Sequence, residues 1–182
     1  MKAIHPDAKE ILVSENELNE IVRSLGRRIT EDYAGKKLLL VGILKGSVVF
    51  MSDLMRYIDL DCHIDFMRVS SYGAGTSSSG KINIELDLRR SVKGYDVLII
   101  EDILDSGNTL SLLKELLESR GPESVKICTL LDKPERHIAD IKPDYTGKVI
   151  PNYFVIGYGL DYDEKYRNLP YVAILKPEIY EK

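Results

Sequence analysis

The chain has 182 residues, 44% hydrophobic and 30% charged, with a formal net charge of −4. That length suits one domain over residues 1–182 with a real core, and the composition is that of an ordinary globular protein. The acidic balance argues against nonspecific nucleic-acid binding, and no apolar stretch approaches a membrane span.

Met1–Val13 lacks a cationic start followed by a long apolar run, so no signal peptide is expected and the cytoplasm is the expected compartment. Ser14-Glu15-Asn16-Glu17 reads as a capping box, and Leu18, Ile21, Val22, Leu25 and Ile29 follow at helical spacing. That helix should end near Gly35. Leu38–Leu44 is a nearly unbroken apolar run, as expected of a strand buried on both faces. Gly46 breaks it, and Val48, Val49, Met51, Leu54, Met55 and Ile58 mark a second helix. Asp61–Ser70 alternates like a strand. Ser70–Gly80 is then small, polar and glycine-rich, a composition that buries little apolar area and predicts a mobile loop within the domain.

Val97–Ile100 reads as another buried strand. Thr109–Arg120 reads as a helix with Leu110, Leu113, Leu116 and Leu117 on one face, stopped by Gly121-Pro122. Val125–Leu131 is a strand, Val149-Ile150 and Tyr153–Tyr158 are extended, and Val172–Leu175 is a last short strand. Cys62 and Cys128 have no CxxC partner and read as buried free thiols. Strands alternating with helices imply an α/β fold with a mainly parallel central sheet. Ligands of such sheets bind beyond the carboxyl ends of the strands, which points to the loops after Leu44, Ser70, Glu101, Leu131 and Tyr158.

The most informative segment is Val97–Thr109, in which an apolar strand runs into Glu101-Asp102, then Ile103-Leu104-Asp105-Ser106-Gly107-Asn108-Thr109 and a helix. Amides at a helix N-terminus carry partial positive charge, Gly107 allows close backbone approach, and Ser106 and Thr109 add hydroxyl donors. Together they suit a phosphate monoester. Glu101 and Asp102 beside it suit ribose hydroxyls, or Mg²⁺ held through water. An acidic turn with a helix cap would explain one of these residues but not all. There is no GxxxxGK[ST], so an ordinary nucleotide P-loop is not the explanation.

This segment resembles the phosphoribosyl-pyrophosphate motif of the type I phosphoribosyltransferases. Gly42-Ile43-Leu44-Lys45-Gly46-Ser47, Ser71-Tyr72, Leu131-Asp132-Lys133, and Tyr153–Tyr162 with Arg167 narrow the resemblance to the hypoxanthine phosphoribosyltransferases. They occur in the family's order over nearly the whole chain; Ser106 stands where many relatives carry Thr, and the hydroxyl is kept. The resemblance implies a parallel sheet flanked by helices, with a small hood formed by the N- and C-terminal segments.

It also implies residue roles. Leu44, Lys45 and Gly46 meet pyrophosphate through the backbone, often with a cis peptide before the lysine. Ser71 and Tyr72 reach pyrophosphate from a loop that closes over the site and excludes water. Glu101 through Ile103 and Asp105 through Thr109 hold the phosphoribosyl group. Lys133 donates to the exocyclic oxygen of the base, Phe154 stacks on it, and the Val155 backbone reads its edge. Asp161 meets a Mg²⁺ on pyrophosphate, and Arg167 meets pyrophosphate itself, which suits its planar fork. For Lys45 and Lys133 the alternative is a surface lysine, for Phe154 a core ring, and for Asp161 and Arg167 a surface ion pair.

Purine attack needs a proton removed, and Asp105 could accept it; an Asx turn or helix cap is its alternative role. The implied reaction is displacement of pyrophosphate at ribose C1′ by hypoxanthine or guanine, with Glu101 and Asp102 offsetting ring charge. A homodimer or homotetramer is expected, and neither nucleic acid nor membrane as partner. Two rivals stand beside this reading. One is transfer to another base, xanthine, guanine or a pyrimidine. The other is a non-catalytic sensor of phosphoribosyl pyrophosphate, which would need an output surface that the sequence does not display.

Overall fold

The computed structural model describes residues 4–71 and 82–181. The elements in chain order are β1 (Ala8–Val13), α1 (Glu15–Asp32), β2 (Leu38–Ile43), α2 (Val48–Leu54), β3 (His63–Ser71), β4 (Ile82–Leu86), β5 (Asp96–Leu104), α3 (Asn108–Ser119), β6 (Ser124–Asp132), β7 (Tyr145–Val149), β8 (Val155–Ile156), β9 (Val172–Leu175) and α4 (Pro177–Tyr180).

Six strands form one sheet in the order β4-β3-β2-β5-β6-β7. All neighbours run parallel except β4, which is antiparallel to β3 at the edge. Every residue of β2 is buried, as its unbroken apolar run requires. Leu40, Leu98 and Ile100 face α1 and α2, whereas Leu39, Val97 and Ile99 face α3. Truncating Leu40 to Ala would open a cavity in the first layer at a cost of about 2–5 kcal/mol. The chain leaves β2 toward β3 on one side, while β5 pairs on its other side. This topological switch places a crevice beyond the carboxyl ends of β2 and β5.

A second, three-stranded sheet, β1-β9-β8, is antiparallel and joins the N- and C-terminal segments into the expected hood. Ala8, Ile156, Tyr171, Ala173 and Leu175 form its own small core.

Several boundaries differ from the sequence expectations. The capping serine is as expected: Ser14 Oγ accepts the Glu17 amide at 3.3 Å. The Glu17 carboxylate turns away and pairs with Lys148 of β7. Helix α1 stops at Asp32, short of Gly35. Strand β5 outlasts its apolar run and continues to Leu104, because β6 still pairs with it at Glu101, Ile103 and Leu104. The two acids therefore lie within a strand rather than after one. Cys128 is buried, but Cys62 is only half-buried; both are free.

Candidate active site

A cavity of about 260 Å³ opens beyond β2, β3 and β5, lined by Ile43, Leu44, Val69, Glu101, Ile103 through Gly107, Thr109 and Leu110. Its floor is the loop between β5 and α3. Gly107 caps α3 with φ +80°, a conformation that side chains disfavour, and a Cβ there would meet Ile141 Cγ2 at 2.7 Å. The amides of Asp105, Ser106 and Gly107 donate to no acceptor among the described residues. The carbonyl of Ser106, by contrast, accepts from Ile138 at 2.9 Å and Ala139 at 3.2 Å, which fixes the loop from behind. The result is a row of free N–H groups at a helix N-terminus, a cradle for an anion.

Glu101 lines this cavity, whereas Asp102 is buried and points behind it. Asp102 Oδ1 accepts the Ile103 amide at 3.0 Å. Its carboxylate lies so close to Gly46 that a Cβ on Gly46 would overlap it. Burial and the neighbouring Asp102 charge push Glu101 well above the ordinary carboxylate range. Burial also raises Asp102.

The Leu44–Lys45 peptide is cis. Lys45 Nζ is 2.6 Å from Glu164 Oε2, and this hydrogen bond, together with the Lys45 charge, holds Glu164 below the ordinary carboxylate range. Arg167 joins the same network: its Nη2 is 2.9 Å from Asp161 Oδ1 and 3.3 Å from Glu164 Oε1, and its Nη1 donates to the Gly159 carbonyl at 2.8 Å. Its Nε is buried with no partner among the described residues. Gly159, at φ +103°, abuts the Gly46 carbonyl so closely that a Cβ would not fit. The turn after β8 is therefore packed against the Leu44–Gly46 loop.

The other end of the site begins at Lys133, whose amide donates to Leu104 O at 3.0 Å and so ties the loop after β6 to the end of β5. Lys133 is only 6% exposed, and burial lowers its ammonium from the ordinary lysine range. Its Nζ lies 3.9 Å from Asp105 Oδ2, too far for a direct hydrogen bond. Arg136 Nε donates to Asp105 Oδ1 at 2.9 Å, and His137 Nε2 is 2.7 Å from Asp132 Oδ1, so the turn after Lys133 is pinned at both ends.

Phe154 is 38% exposed, so it is not a core ring. Leu175 N donates to Phe154 O at 2.8 Å, which makes Phe154 and Leu175 a hydrogen-bonded pair and Val155 and Ile174 a non-hydrogen-bonded one. The Val155 N–H and C=O consequently point away from β9. Since β8 is an edge strand, they face outward from the hood sheet.

The structure brings Leu44, Glu101, Ile103, Asp105, Ser106, Gly107 and Thr109 around one cavity. Lys133 adjoins it through Asp105, and Lys45, Asp161 and Arg167 form a connected ionic wall. Asn108 is the exposed first residue of α3. Of the expected pyrophosphate loop, only the Ser71 backbone, paired with Ile82, is within the described residues; Tyr72 and residues up to Gly80 lie outside them. Among the described residues no three His, Cys, Asp or Glu side chains converge on one metal-sized point. Sequence reasoning missed Glu164, Arg136 and His137, whose partners are fixed only by the fold.

A parallel sheet with an anion cradle after its central strand, flanked by acids and covered by a terminal hood, defines the phosphoribosyltransferase class. The family model of the phosphoribosyl transferase domain matches residues 8–163, and the chain belongs to that family. Within it, the chain is 57% identical over 174 residues to the hypoxanthine-guanine phosphoribosyltransferase of Lactococcus lactis, covering 96% of this chain and 94% of the relative. A crystal structure of a Staphylococcus aureus hypoxanthine phosphoribosyltransferase superposes with a TM-score of 0.95 at 56% identity, covering 98% of this chain and 97% of that one. The chain is also 55% identical over 181 residues to the bifunctional TilS/HprT protein of Listeria monocytogenes; it is covered completely but spans only 28% of that relative's length. No helix among the described residues is long and apolar enough to cross a membrane.

Proposed function

We propose that the protein transfers the 5-phosphoribosyl group of phosphoribosyl pyrophosphate to a 6-oxopurine, making IMP from hypoxanthine and GMP from guanine. One observation carries this reading: the buried Lys133 ammonium and the Asp105 carboxylate stand 3.9 Å apart, with no direct hydrogen bond between them, beside the anion cradle. A 6-oxopurine presents an oxygen acceptor at C6 and an N7–H donor on one edge, and complements that pair. Adenine would turn an amino donor toward Lys133 and leave the buried donor unsatisfied.

The residue roles follow. The free amides of Asp105–Gly107, with the Ser106 and Thr109 hydroxyls, hold the 5-phosphate. The Leu44–Gly46 backbone, Lys45 and Arg167 hold pyrophosphate. Glu101 meets the ribose hydroxyls and offsets positive charge developing on the ring. As N9 bonds to C1′ and pyrophosphate departs, the N7 proton passes to Asp105. Phe154 supports the purine face, and the outward Val155 backbone reads its edge.

A hard cation with oxygen ligands suits this donor set, because Mg²⁺ binds through one or two carboxylates, water and substrate phosphates rather than a full protein cage. Glu101 would hold it on the ribose side and Asp161 on the pyrophosphate side, with the buried Asp102 behind Glu101 adding its charge. When bound, Mg²⁺ neutralises charge on the departing pyrophosphate. A cytoplasmic homodimer or homotetramer belongs to the same proposal, and light scattering after size exclusion measures the assembly.

The deciding experiment is an assay of hypoxanthine with phosphoribosyl pyrophosphate and Mg²⁺. IMP should form, GMP should form from guanine, and adenine should give no product above background. Binding of phosphoribosyl pyrophosphate without turnover of any base would overturn the reading in favour of a sensor.

A further inference from the structure

The C-terminal turn contributes an aromatic ring to the base end that the chemistry above does not use. Tyr180 stacks on Phe154, with centroids 4.9 Å apart and planes 20° from parallel. Tyr162 meets Phe154 edge to face at 5.5 Å and 86°. Phe154 nevertheless remains 38% exposed. The two neighbouring rings therefore leave a substantial part of Phe154 accessible.

The geometry of the segment makes this stack a built feature. Strand β9 runs directly into α4, with Lys176 between them. Leu175 N is bonded to Phe154 O at 2.8 Å and Lys176 N to Asp7 O at 3.0 Å, so the entry to the turn is tied to the hood. Ile179 and Tyr180 pack on the hood core of Ala8, Ile156, Tyr171, Ala173 and Leu175. The ring is therefore delivered to the far side of Phe154 by the same short strand that fixes the Phe154 backbone.

We propose that Tyr180 is a positioning residue for base binding: it braces one face of Phe154 so that the other stays presented as the shelf for the purine. An exposed phenylalanine without such a brace would sample several rotamers, and each binding event would have to select the productive one. Offset aromatic pairs are preferred geometries, and the hydroxyl has no part in this one. The inference rests on the reading of Phe154 as the purine shelf.

The test compares Tyr180→Ala, Tyr180→Leu, Tyr180→Phe and Phe154→Ala in steady-state kinetics, with unfolding midpoints as a check on folding. Tyr180→Ala should raise KM for hypoxanthine about 3- to 10-fold, the loss expected of one aromatic stack. KM for phosphoribosyl pyrophosphate should stay within about 2-fold, a split that general loosening would not give. Tyr180→Phe should behave as wild type. Tyr180→Leu keeps apolar bulk on the hood core but not the flat face, and carries the same expectation should the alanine variant fold poorly. Combined with Phe154→Ala, loss of Tyr180 should add nothing further. An unchanged hypoxanthine KM in Tyr180→Ala and Tyr180→Leu overturns the inference; a lowered one means that the ring occupies the shelf rather than bracing it. If Phe154→Ala itself leaves hypoxanthine KM unchanged, the shelf reading has failed, and the inference with it.

Discussion

The two ends of the site are built in opposite ways. On the proposed reading, the phosphate end is one continuous segment, Glu101–Thr109, that would work mainly through backbone: free amides at Asp105–Gly107, and a left-handed Gly107 that no side chain could replace comfortably. The proposed base end gathers Lys133, Phe154, Val155 and the C-terminal turn, and would work mainly through side chains held by distant partners. Backbone recognition suits a ligand group common to the whole family, such as phosphate. Side-chain recognition suits the part that has to discriminate. Asp105 belongs to both ends, being in the phosphate loop by sequence and facing Lys133 by geometry.

The largest effect should therefore come from Asp105. Asp105→Asn keeps the shape of the loop but removes the proton acceptor, and kcat should fall about 10²- to 10⁴-fold, with a smaller change in KM for phosphoribosyl pyrophosphate. A variant within about 3-fold of wild type would confine Asp105 to the phosphate end, as a loop-shaping residue only.

Lys133 sharpens the comparison from the base side. Lys133→Ala should lower kcat/KM for hypoxanthine by about 10- to 150-fold, the range for one charged hydrogen bond, and leave KM for phosphoribosyl pyrophosphate nearly unchanged. Equal losses for both substrates would mean that the two ends are one mechanical unit, joined through the bond from Lys133 N to Leu104 O.

That difference in construction also explains what the sequence reveals. The phosphate end is legible because strand, acids, glycine and helix start are adjacent, and each carries a local physical signal. The layering of the main sheet is legible for the same reason, since Leu38–Ile43 is apolar throughout and buried throughout. Strand β1 is not legible: its residues Lys9, Glu10 and Ile11 are exposed or polar, and its pairing with β9 is irregular. Strand β4 is an edge strand whose partner lies across the Ser70–Gly80 segment. Arg136 reaches an acid 31 positions away and Lys45 one 119 positions away, and nothing local foretells either pairing. Asp102 reads as a twin of Glu101, yet strand alternation sends adjacent side chains to opposite faces, which puts only Glu101 in the cavity.

Arg136 tests how stiffly the two ends are coupled. Both members of its pair with Asp105 are about half exposed, 50% and 44%, so the contact is screened by water and salt. Arg136→Ala should lower kcat by about 1.5- to 5-fold, as for an exposed ion pair, and the difference should shrink in high salt. A loss of 100-fold or more, insensitive to salt, would instead assign Arg136 direct contact with substrate.

The smallest effect concerns stability at the phosphate end, where Glu101 is an exception to backbone recognition. Burial and Asp102 raise its pKa in the folded protein, while the unfolded chain has an ordinary carboxyl. Below the unfolded value both states are protonated, and Glu101 costs nothing. As pH rises past it, the unfolded state releases its proton first and stability is lost, until the folded pKa is passed and the loss is complete. Glu101→Gln has no proton to lose. It should match wild type in unfolding midpoint near pH 4 and exceed it at pH 7–8 by about 2–4 °C, the shift that 1 kcal/mol produces in a chain of this size. The measurement is calorimetry in buffer free of divalent cations, because a bound cation would stabilise the ionised pair and hide the difference. A Gln variant less stable than wild type at pH 7–8 would show that the nearby Arg167 charge, which favours ionised Asp102, already compensates the pair. The acids would then be structural in the apo protein, and the separation between a backbone-built phosphate end and a side-chain-built base end would not extend to them.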